Sequence, residues 1–98
     1  MKIQVLITPE AEADLSDSFA WYEEQSRGLG NDFLLCVEAG LNVIQRNPEA
    51  YQIVHKNVRR VLLRRFPYGI FYTLTAKEIV VIAVFHASRN PKRWKLRS

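Results

Sequence analysis

The sequence predicts a two-layer α+β domain in which an antiparallel helix hairpin covers one face of a sheet. Apolar residues in the first half recur at three- and four-residue spacing, which is typical of amphipathic helices. The second half has three runs rich in β-branched and aromatic residues, separated by short turn sequences. With 98 residues, the chain has the length of one domain, and we predict a single domain over residues 1–98.

The N-terminal half is predicted to form one strand and two helices. Alternating apolar residues indicate a short strand over residues 2–7. Thr8-Pro9-Glu10 then combines an N-cap, a proline suited to the first helical position and an acid for the positive end of the helix dipole. The first helix is expected to continue to about residue 25. A glycine-containing turn at 26–30 separates it from a second helix over about 31–46, which ends before a proline.

The C-terminal half is predicted to form a three-stranded antiparallel meander with strands at 58–66, 70–75 and 79–86. Pro67-Tyr68-Gly69 is interpreted as a turn or bulge, and residues 51–54 as an irregular lead-in. The last strand is apolar on both faces, which favours a central position covered on each side. The residues after it are predicted to add one helical turn or an arm.

Charge is distributed very unevenly along the chain. Residues 1–50 hold three basic residues against nine acidic ones, a net charge of −6. Residues 51–98 hold eleven against one, a net charge of +10, so the total is +4. This asymmetry predicts a basic face that attracts an anionic partner, such as nucleic acid or an acidic protein segment.

Several classes of protein and site are disfavoured. A single cysteine, Cys36, permits no internal disulfide and no cysteine-based zinc site. The longest apolar run, residues 79–85, is too short to span a bilayer, and the N-terminus does not resemble a signal peptide, so a soluble cytoplasmic protein without membrane association is expected. No metal or other cofactor is expected. A solvated helix face is predicted for these carboxylates: Glu10, Glu12, Asp14, Asp17, Glu23 and Glu24.

The motifs of the chain, taken in order, resemble those of the RelE/ParE superfamily of toxins from type II toxin–antitoxin systems. The resemblance is greatest to the ParE-like, or plasmid stabilisation, branch. The segments that carry it are Thr8-Pro9-Glu10-Ala11, Trp21-Tyr22, Val58 to Tyr68 with its two arginine pairs, Ile70-Phe71-Tyr72, and Val84-Phe85-His86-Ala87-Ser88-Arg89-Asn90-Pro91 followed by Trp94.

This resemblance implies a toxin neutralised by a cognate antitoxin, whose C-terminal segment wraps the toxin as a helix and an extended strand. A basic surface suits an acidic segment that folds on binding, and a free strand edge suits strand addition. The resemblance leaves open whether the free toxin is a monomer or a homodimer.

The target differs within the superfamily. RelE-like members cleave mRNA on the ribosome, whereas ParE-like members poison DNA gyrase without being nucleases. RelE-like nucleases have an arginine where this chain has Gly69, and a C-terminal tyrosine or histidine where it has Trp94, whose indole cannot act as a general acid. We therefore expect a non-catalytic toxin that binds gyrase. The alternatives are a ribosome-dependent mRNA endonuclease and an inactive interaction module retained for autoregulation.

Candidate site residues lie at the margins of the predicted meander. If the protein is a nuclease, His86, Arg65 and Arg89 are the candidate catalytic groups, although His86 at a strand end also suits a structural role. The residues expected to bind the target or the antitoxin are Arg60, Arg64, Arg65, Arg89, Arg93, Trp94 and Lys95.

Strand alternation places Arg60 and Arg64 on the open face of the sheet beside Leu62 and Phe66. Arginines on the other face are expected to lie near the sheet edge, within reach of the acidic hairpin. For Trp94, two hypotheses remain open: an aromatic anchor ringed by cations at an interface, or a side chain that folds back to cap the sheet.

Overall fold

A computed structural model describes residues 3–89 and 91–98 and contains five strands and three helices. In chain order these are β1 (Gln4–Ile7), α1 (Pro9–Gln25), α2 (Leu29–Arg46), β2 (Ile53–His55), β3 (Val58–Leu62), β4 (Tyr68–Leu74), β5 (Glu78–His86) and α3 (Pro91–Lys95). The strands form one sheet in the order β1-β5-β4-β3-β2, where β1 runs parallel to β5 and all other neighbours are antiparallel. The predicted α+β fold with its N-terminal strand and helix hairpin is confirmed.

Side chains accept hydrogen bonds from backbone N–H groups at the start of both helices of the hairpin. The Thr8 hydroxyl accepts the Ala11 N–H at 3.2 Å and so caps α1 as predicted. At the turn, the Glu23 carboxylate accepts the backbone N–H groups of Gly28 and Gly30, each at 3.0 Å. Gly28 has a φ of +88°, a conformation that favours glycine, and α2 begins directly after it, two residues earlier than predicted.

A group of packed aromatic rings joins the hairpin to the sheet. Tyr22 of α1 and Phe33 of α2 stack with centroids 5.2 Å apart, and Phe66 and Tyr68 meet both of them edge to face. On the same face Tyr72 is fully buried, and its hydroxyl donates to the Pro48 carbonyl at 2.7 Å. Burial raises the pKa of Tyr72 to about 12. A neutral, hydrogen-bonded tyrosine therefore completes this core.

The edge of the sheet near β3 differs from the prediction. β3 ends at Leu62 rather than at residue 66, because the Leu63 N–H donates to the Tyr68 carbonyl at 2.9 Å and closes a loop between them. The turn expected at 67–69 thus comes earlier, and β4 already begins at Tyr68. The lead-in predicted to be irregular contains β2, which pairs with β3 at the sheet edge. Three residues are too short for a strand to show a clear alternation.

A β-bulge in β5 shifts the alternation of its side chains between the two faces of the sheet. Phe71 pairs with Ala83 and Tyr72 with Val81, so Ile82 is an extra residue without a partner opposite it on β4. As a result Ile82 and Ala83 both pack on the face away from the hairpin, while Val81 packs toward it. The predicted central position of this strand, between β1 and β4, is confirmed.

The face of the sheet opposite the hairpin is covered by α3. The Trp94 ring stacks on Phe71 with centroids 4.3 Å apart and planes 24° from parallel, and the Trp94 side chain is 4% exposed. It completes a second apolar cluster with Val58, Ile82 and Ala83. Trp94 therefore caps the sheet, which is one of the two hypotheses that the sequence left open.

Asp14 departs most clearly from the sequence prediction. It was expected on a solvated helix face, but it is 7% exposed. Its carboxylate accepts the Val84 N–H at 3.0 Å and both guanidinium nitrogens of Arg97, at 2.6 and 3.1 Å. Arg97 also donates to the Ile82 carbonyl at 3.0 Å. Because β1 has already ended, these side chains supply partners for this part of the β5 edge.

None of the helices in residues 3–89 and 91–98 is long and apolar enough to cross a membrane.

Candidate functional site

The first arginine pair divides between the two faces of β3, as alternation predicts. Arg59 turns to the hairpin side, where its Nη1 donates to the backbone carbonyls of Glu49 and Tyr51 at 2.9 and 2.7 Å. Arg60 lies on the opposite face over Gly69: a Cβ on that glycine would stand 3.0 Å from the Arg60 Cγ. Gly69 thus provides the space that the Arg60 side chain occupies.

The second arginine pair lies beyond the end of β3, so alternation does not place it. Phe66 is buried in the hairpin-side core rather than on the open face with Arg60, and the predicted strip of Arg60, Leu62, Arg64 and Phe66 is wrong in this respect. Arg65 pairs with Asp32 of α2 at 3.5 Å, which agrees with the expected contact to the acidic hairpin. Both side chains are exposed, so this pair contributes little to stability.

Arg64 contributes to a groove between α2 and β3, which we call the α2–β3 groove. Its volume is about 400 Å³, and its lining includes Cys36, Val43, Arg46, Leu62 and Arg64. The groove therefore combines an apolar surface with two guanidinium groups.

The strand edge beside this groove is open. The Arg60 N–H points away from β4 and donates to the Gln52 carbonyl at 3.1 Å. Leu62, two residues on, directs its backbone groups the same way by alternation. The pairing of β2 with β3 extends from His55 to Ile53 and stops short of Leu62, whose side chain is 56% exposed. An extended segment could therefore pair with β3 at this point.

A second concave region lies between α1 and the C-terminal end of β5, and we call it the α1–β5 cleft. It consists of two adjoining cavities, of about 200 and 350 Å³, that share Asp17, Ser18, Tyr68, His86 and Arg89 in their linings. Trp21 lines the larger cavity and Arg93 the smaller one. Nothing in the linear pattern links Trp21 to His86, so the cleft could not be predicted from the sequence.

The structure brings together two of the three candidate nuclease residues. His86 and Arg89 both line the cleft, whereas Arg65 lies elsewhere, against Asp32. The His86 Nδ1 accepts the Ser88 N–H at 3.3 Å, so the neutral ring carries its proton on Nε2.

Burial raises the pKa of Tyr22 and the charge of Tyr68 adds to this effect, while the positive charge of Arg89 opposes it.

The basic residues after β5 make different contacts. Arg97 forms an ion pair with Asp14 inside the fold. The Arg93 guanidinium lies 5.1 Å from the centroid of Phe85, and the Lys95 Nζ lies 5.8 Å from the Trp94 ring. Arg89, Arg93 and Lys95 are exposed, whereas Trp94 is buried.

The fold and these surfaces define a small α+β domain with an acidic helix hairpin, a sheet rich in basic residues and two concave regions. Comparison with known proteins gives the family. The chain belongs to the ParE toxin family, because the model described as "ParE toxin of type II toxin-antitoxin system, parDE" matches residues 5–91. The predicted membership of the RelE/ParE superfamily is confirmed.

Individual relatives agree with this assignment. The chain is 31% identical over 81 residues to "Toxin ParE2" of Mycobacterium tuberculosis, in both strain CDC 1551 / Oshkosh and strain ATCC 25618 / H37Rv. Each alignment covers 82% of this chain and 77% of the relative. A solved structure described as "Chromosomal ParDE TA system from P. aeruginosa" has a TM-score of 0.77 and 19% identity, and the match covers 87% of this chain and 96% of that one. This structure supports the fold.

Proposed function

We propose that this toxin inhibits growth by binding DNA gyrase, without catalysis, and that a cognate antitoxin neutralises it. The gyrase target rests on the ParE-like pattern of the sequence. The observation that favours binding over cleavage is the packing of Trp94 on Phe71, because it covers the sheet face opposite the helix hairpin with apolar contacts.

Cleavage of RNA needs a base, an acid and cations that stabilise charge on the phosphate, all facing the substrate. On the sheet face opposite the hairpin, Gly69 supplies no side chain where RelE-like nucleases have an arginine. A side chain there would begin with a Cβ 3.0 Å from the Arg60 Cγ, so the Arg60 side chain would have to shift to make room for it. Trp94, at the position of the RelE-type terminal aromatic, is buried and has no titratable proton. This face therefore suits a scaffold better than an RNase active site.

The alternative that the structure leaves to experiment is a nuclease built on His86 and Arg89 in the α1–β5 cleft. Replacing His86 by glutamine removes the ring that could transfer a proton. If the toxin acts by binding gyrase, His86→Gln is expected to inhibit growth as the wild type does. General acid–base catalysis contributes about 10²- to 10⁴-fold, so a nuclease would lose activity by about that factor. The measurement is growth after induction without antitoxin.

Purified components separate the targets directly. We expect the toxin to inhibit supercoiling by gyrase and to leave mRNA intact in a translation extract. Codon-dependent mRNA cleavage without supercoiling inhibition would contradict the proposal and assign the endonuclease function. Normal growth on expression without the antitoxin would instead indicate an inactive interaction module.

For the antitoxin, we propose that an extended acidic segment occupies the α2–β3 groove and pairs with β3 at Leu62. Backbone pairing at the open edge would provide affinity, and the apolar lining would accept alternate side chains. Arg46 and Arg64 in the lining complement an acidic segment, so binding should weaken as salt increases. The net charge of +10 in residues 51–98 supports the same occupant.

Introducing a negative charge at Leu62 tests this proposal. Leu62→Glu is expected to weaken antitoxin binding about tenfold or more, because it removes an apolar contact and adds a negative charge that repels an acidic segment. Leu96→Glu is a matched control, since Leu96 is 86% exposed and follows α3 near β5, on the far side of the sheet from the groove. Affinities are measured by calorimetry with the cognate antitoxin. Equal affinities of the two variants would exclude the groove as the antitoxin site.

A further inference from the structure

The α1–β5 cleft has a wall of aromatic rings. Trp21 meets Tyr22 edge to face at 5.0 Å, Tyr22 meets Tyr68 at 5.8 Å, and Tyr68 meets His86 at 5.8 Å. Tyr22 is buried, but the Trp21 side chain is 54% exposed and borders the larger cavity together with Pro67. An exposed indole next to a cavity, supported from behind by packed rings, is a surface on which a flat ligand can stack.

Two arginines line the same cleft, Arg89 in both cavities and Arg93 in the smaller one. Within residues 3–89 and 91–98, the two ion pairs join Arg65 to Asp32 and Arg97 to Asp14. Arg89 and Arg93 line the cleft without forming an ion pair to a carboxylate of the described residues, although Asp17 borders the same cavity. Asp14, which also borders the smaller cavity, is already matched by Arg97. The smaller cavity is thus suited to an anion such as a phosphate group.

Hydrogen-bonding groups lie between the aromatic wall and the cations. Asp17 and Ser18 border both cavities and offer a carboxylate and a hydroxyl. The proton on the His86 Nε2 makes its ring a donor, because Nδ1 already accepts the Ser88 N–H. A carboxylate beside a stacking surface can accept N–H donors from the edge of a base, as well as the hydroxyls of a sugar.

From this arrangement we propose that the α1–β5 cleft binds a nucleotide, with the base stacked on Trp21 and the phosphate facing Arg89 and Arg93. The larger cavity, about 350 Å³, accepts the base, and this volume lies within the range of roughly 300–1,000 Å³ that is usual for small-ligand sites. The nucleotide is either free or part of a single strand, since both present the same base and phosphate. The site lies away from the α2–β3 groove and does not depend on the proposed gyrase or antitoxin binding.

The two tryptophans of the chain make a test by nuclear magnetic resonance possible. Trp21 is in the cleft, whereas Trp94 is buried on the opposite face and serves as an internal reference. In ¹⁵N-labelled protein titrated with GMP or UMP, the Trp21 indole signal is expected to shift and saturate while the Trp94 signal stays in place. The His86 ring signals should follow Trp21, and those of His55, which packs near Trp94, should not.

Variants locate the two ends of the ligand. Arg89→Ala is expected to weaken GMP binding about tenfold or more, the usual effect of losing a hydrogen bond to a charged group. Trp21→Ala, followed through the His86 signals, should weaken it about five- to a hundredfold through the loss of one stacked base. Lys77→Ala removes one positive charge from an exposed residue just before β5, at the end of that strand opposite His86, and should leave the affinity unchanged.

Three results would overturn the proposal: no saturable shift of Trp21 with either nucleotide, an unchanged affinity in Arg89→Ala, or an equal shift of Trp21 with inorganic phosphate alone. A trinucleotide distinguishes the two sources of the ligand. If it binds more tightly than GMP, the cleft takes a nucleotide within a single strand; if the affinities are equal, it takes a free nucleotide. Either result supports the site.

Discussion

Replacing Asp14 by alanine is expected to lower the free energy of unfolding by about 3–5 kcal/mol, the usual cost of removing one partner of a buried ion pair. The variant leaves the Arg97 guanidinium inside the fold without its carboxylate and the Val84 N–H without its acceptor. Because Asp14 joins α1 to both β5 and the C-terminus, its loss affects three parts of the fold together. The measurement is chemical denaturation followed by circular dichroism.

Asp17→Ala is the matched control for this prediction. Asp17 is one turn further along α1 and exposed, so the same change of charge should alter stability by less than about 0.5 kcal/mol. A double variant, Asp14→Leu with Arg97→Met, should lose less stability than Asp14→Ala, since it removes both charges and keeps apolar volume. Similar stabilities of Asp14→Ala and Asp17→Ala would contradict the structural role of the pair.

Trp94→Ala is expected to cost a similar amount, about 3–5 kcal/mol, because it leaves a cavity over Phe71 in the second apolar cluster. Trp94→Phe keeps an aromatic ring on Phe71 and should lose less. The prediction is checked by thermal and chemical unfolding. The same variant distinguishes a core residue from an interface residue. If Trp94 were an exposed anchor, its truncation would weaken partner binding and leave the stability of the free protein unchanged.

The control here is Leu96→Ala, two residues further on. Leu96 is an apolar side chain that is 86% exposed, and its truncation should change stability by less than about 0.5 kcal/mol. If Trp94→Ala unfolds at the same denaturant concentration as the wild type but no longer binds its target, Trp94 is an interface anchor and the packing described for it is not important for stability.

The sequence by itself determined the fold class and the order of the main elements, and its motifs carried the resemblance to the family. The fold class and the element order follow from local information: the 3.6-residue period of the two helices, the Thr8-Pro9 start, the glycine-containing turn and the apolar runs of the meander. The concentration of positive charge in residues 51–98 was equally evident, since it depends on composition alone. Element ends were less certain, because hydrogen bonds such as Leu63 N–H to the Tyr68 carbonyl decide where a strand stops.

Only the tertiary structure decided which of these residues act together. Asp14 looks like any other acid of α1, and its burial depends on Val84 and Arg97, which lie 70 and 83 residues further along the chain. Trp94 was compatible with an anchor or a cap until its position over Phe71 was known. Likewise, Trp21 and His86 meet at one cleft because α1 packs beside the end of β5. Such pairings are set by how the elements pack, and no local pattern of the sequence encodes them.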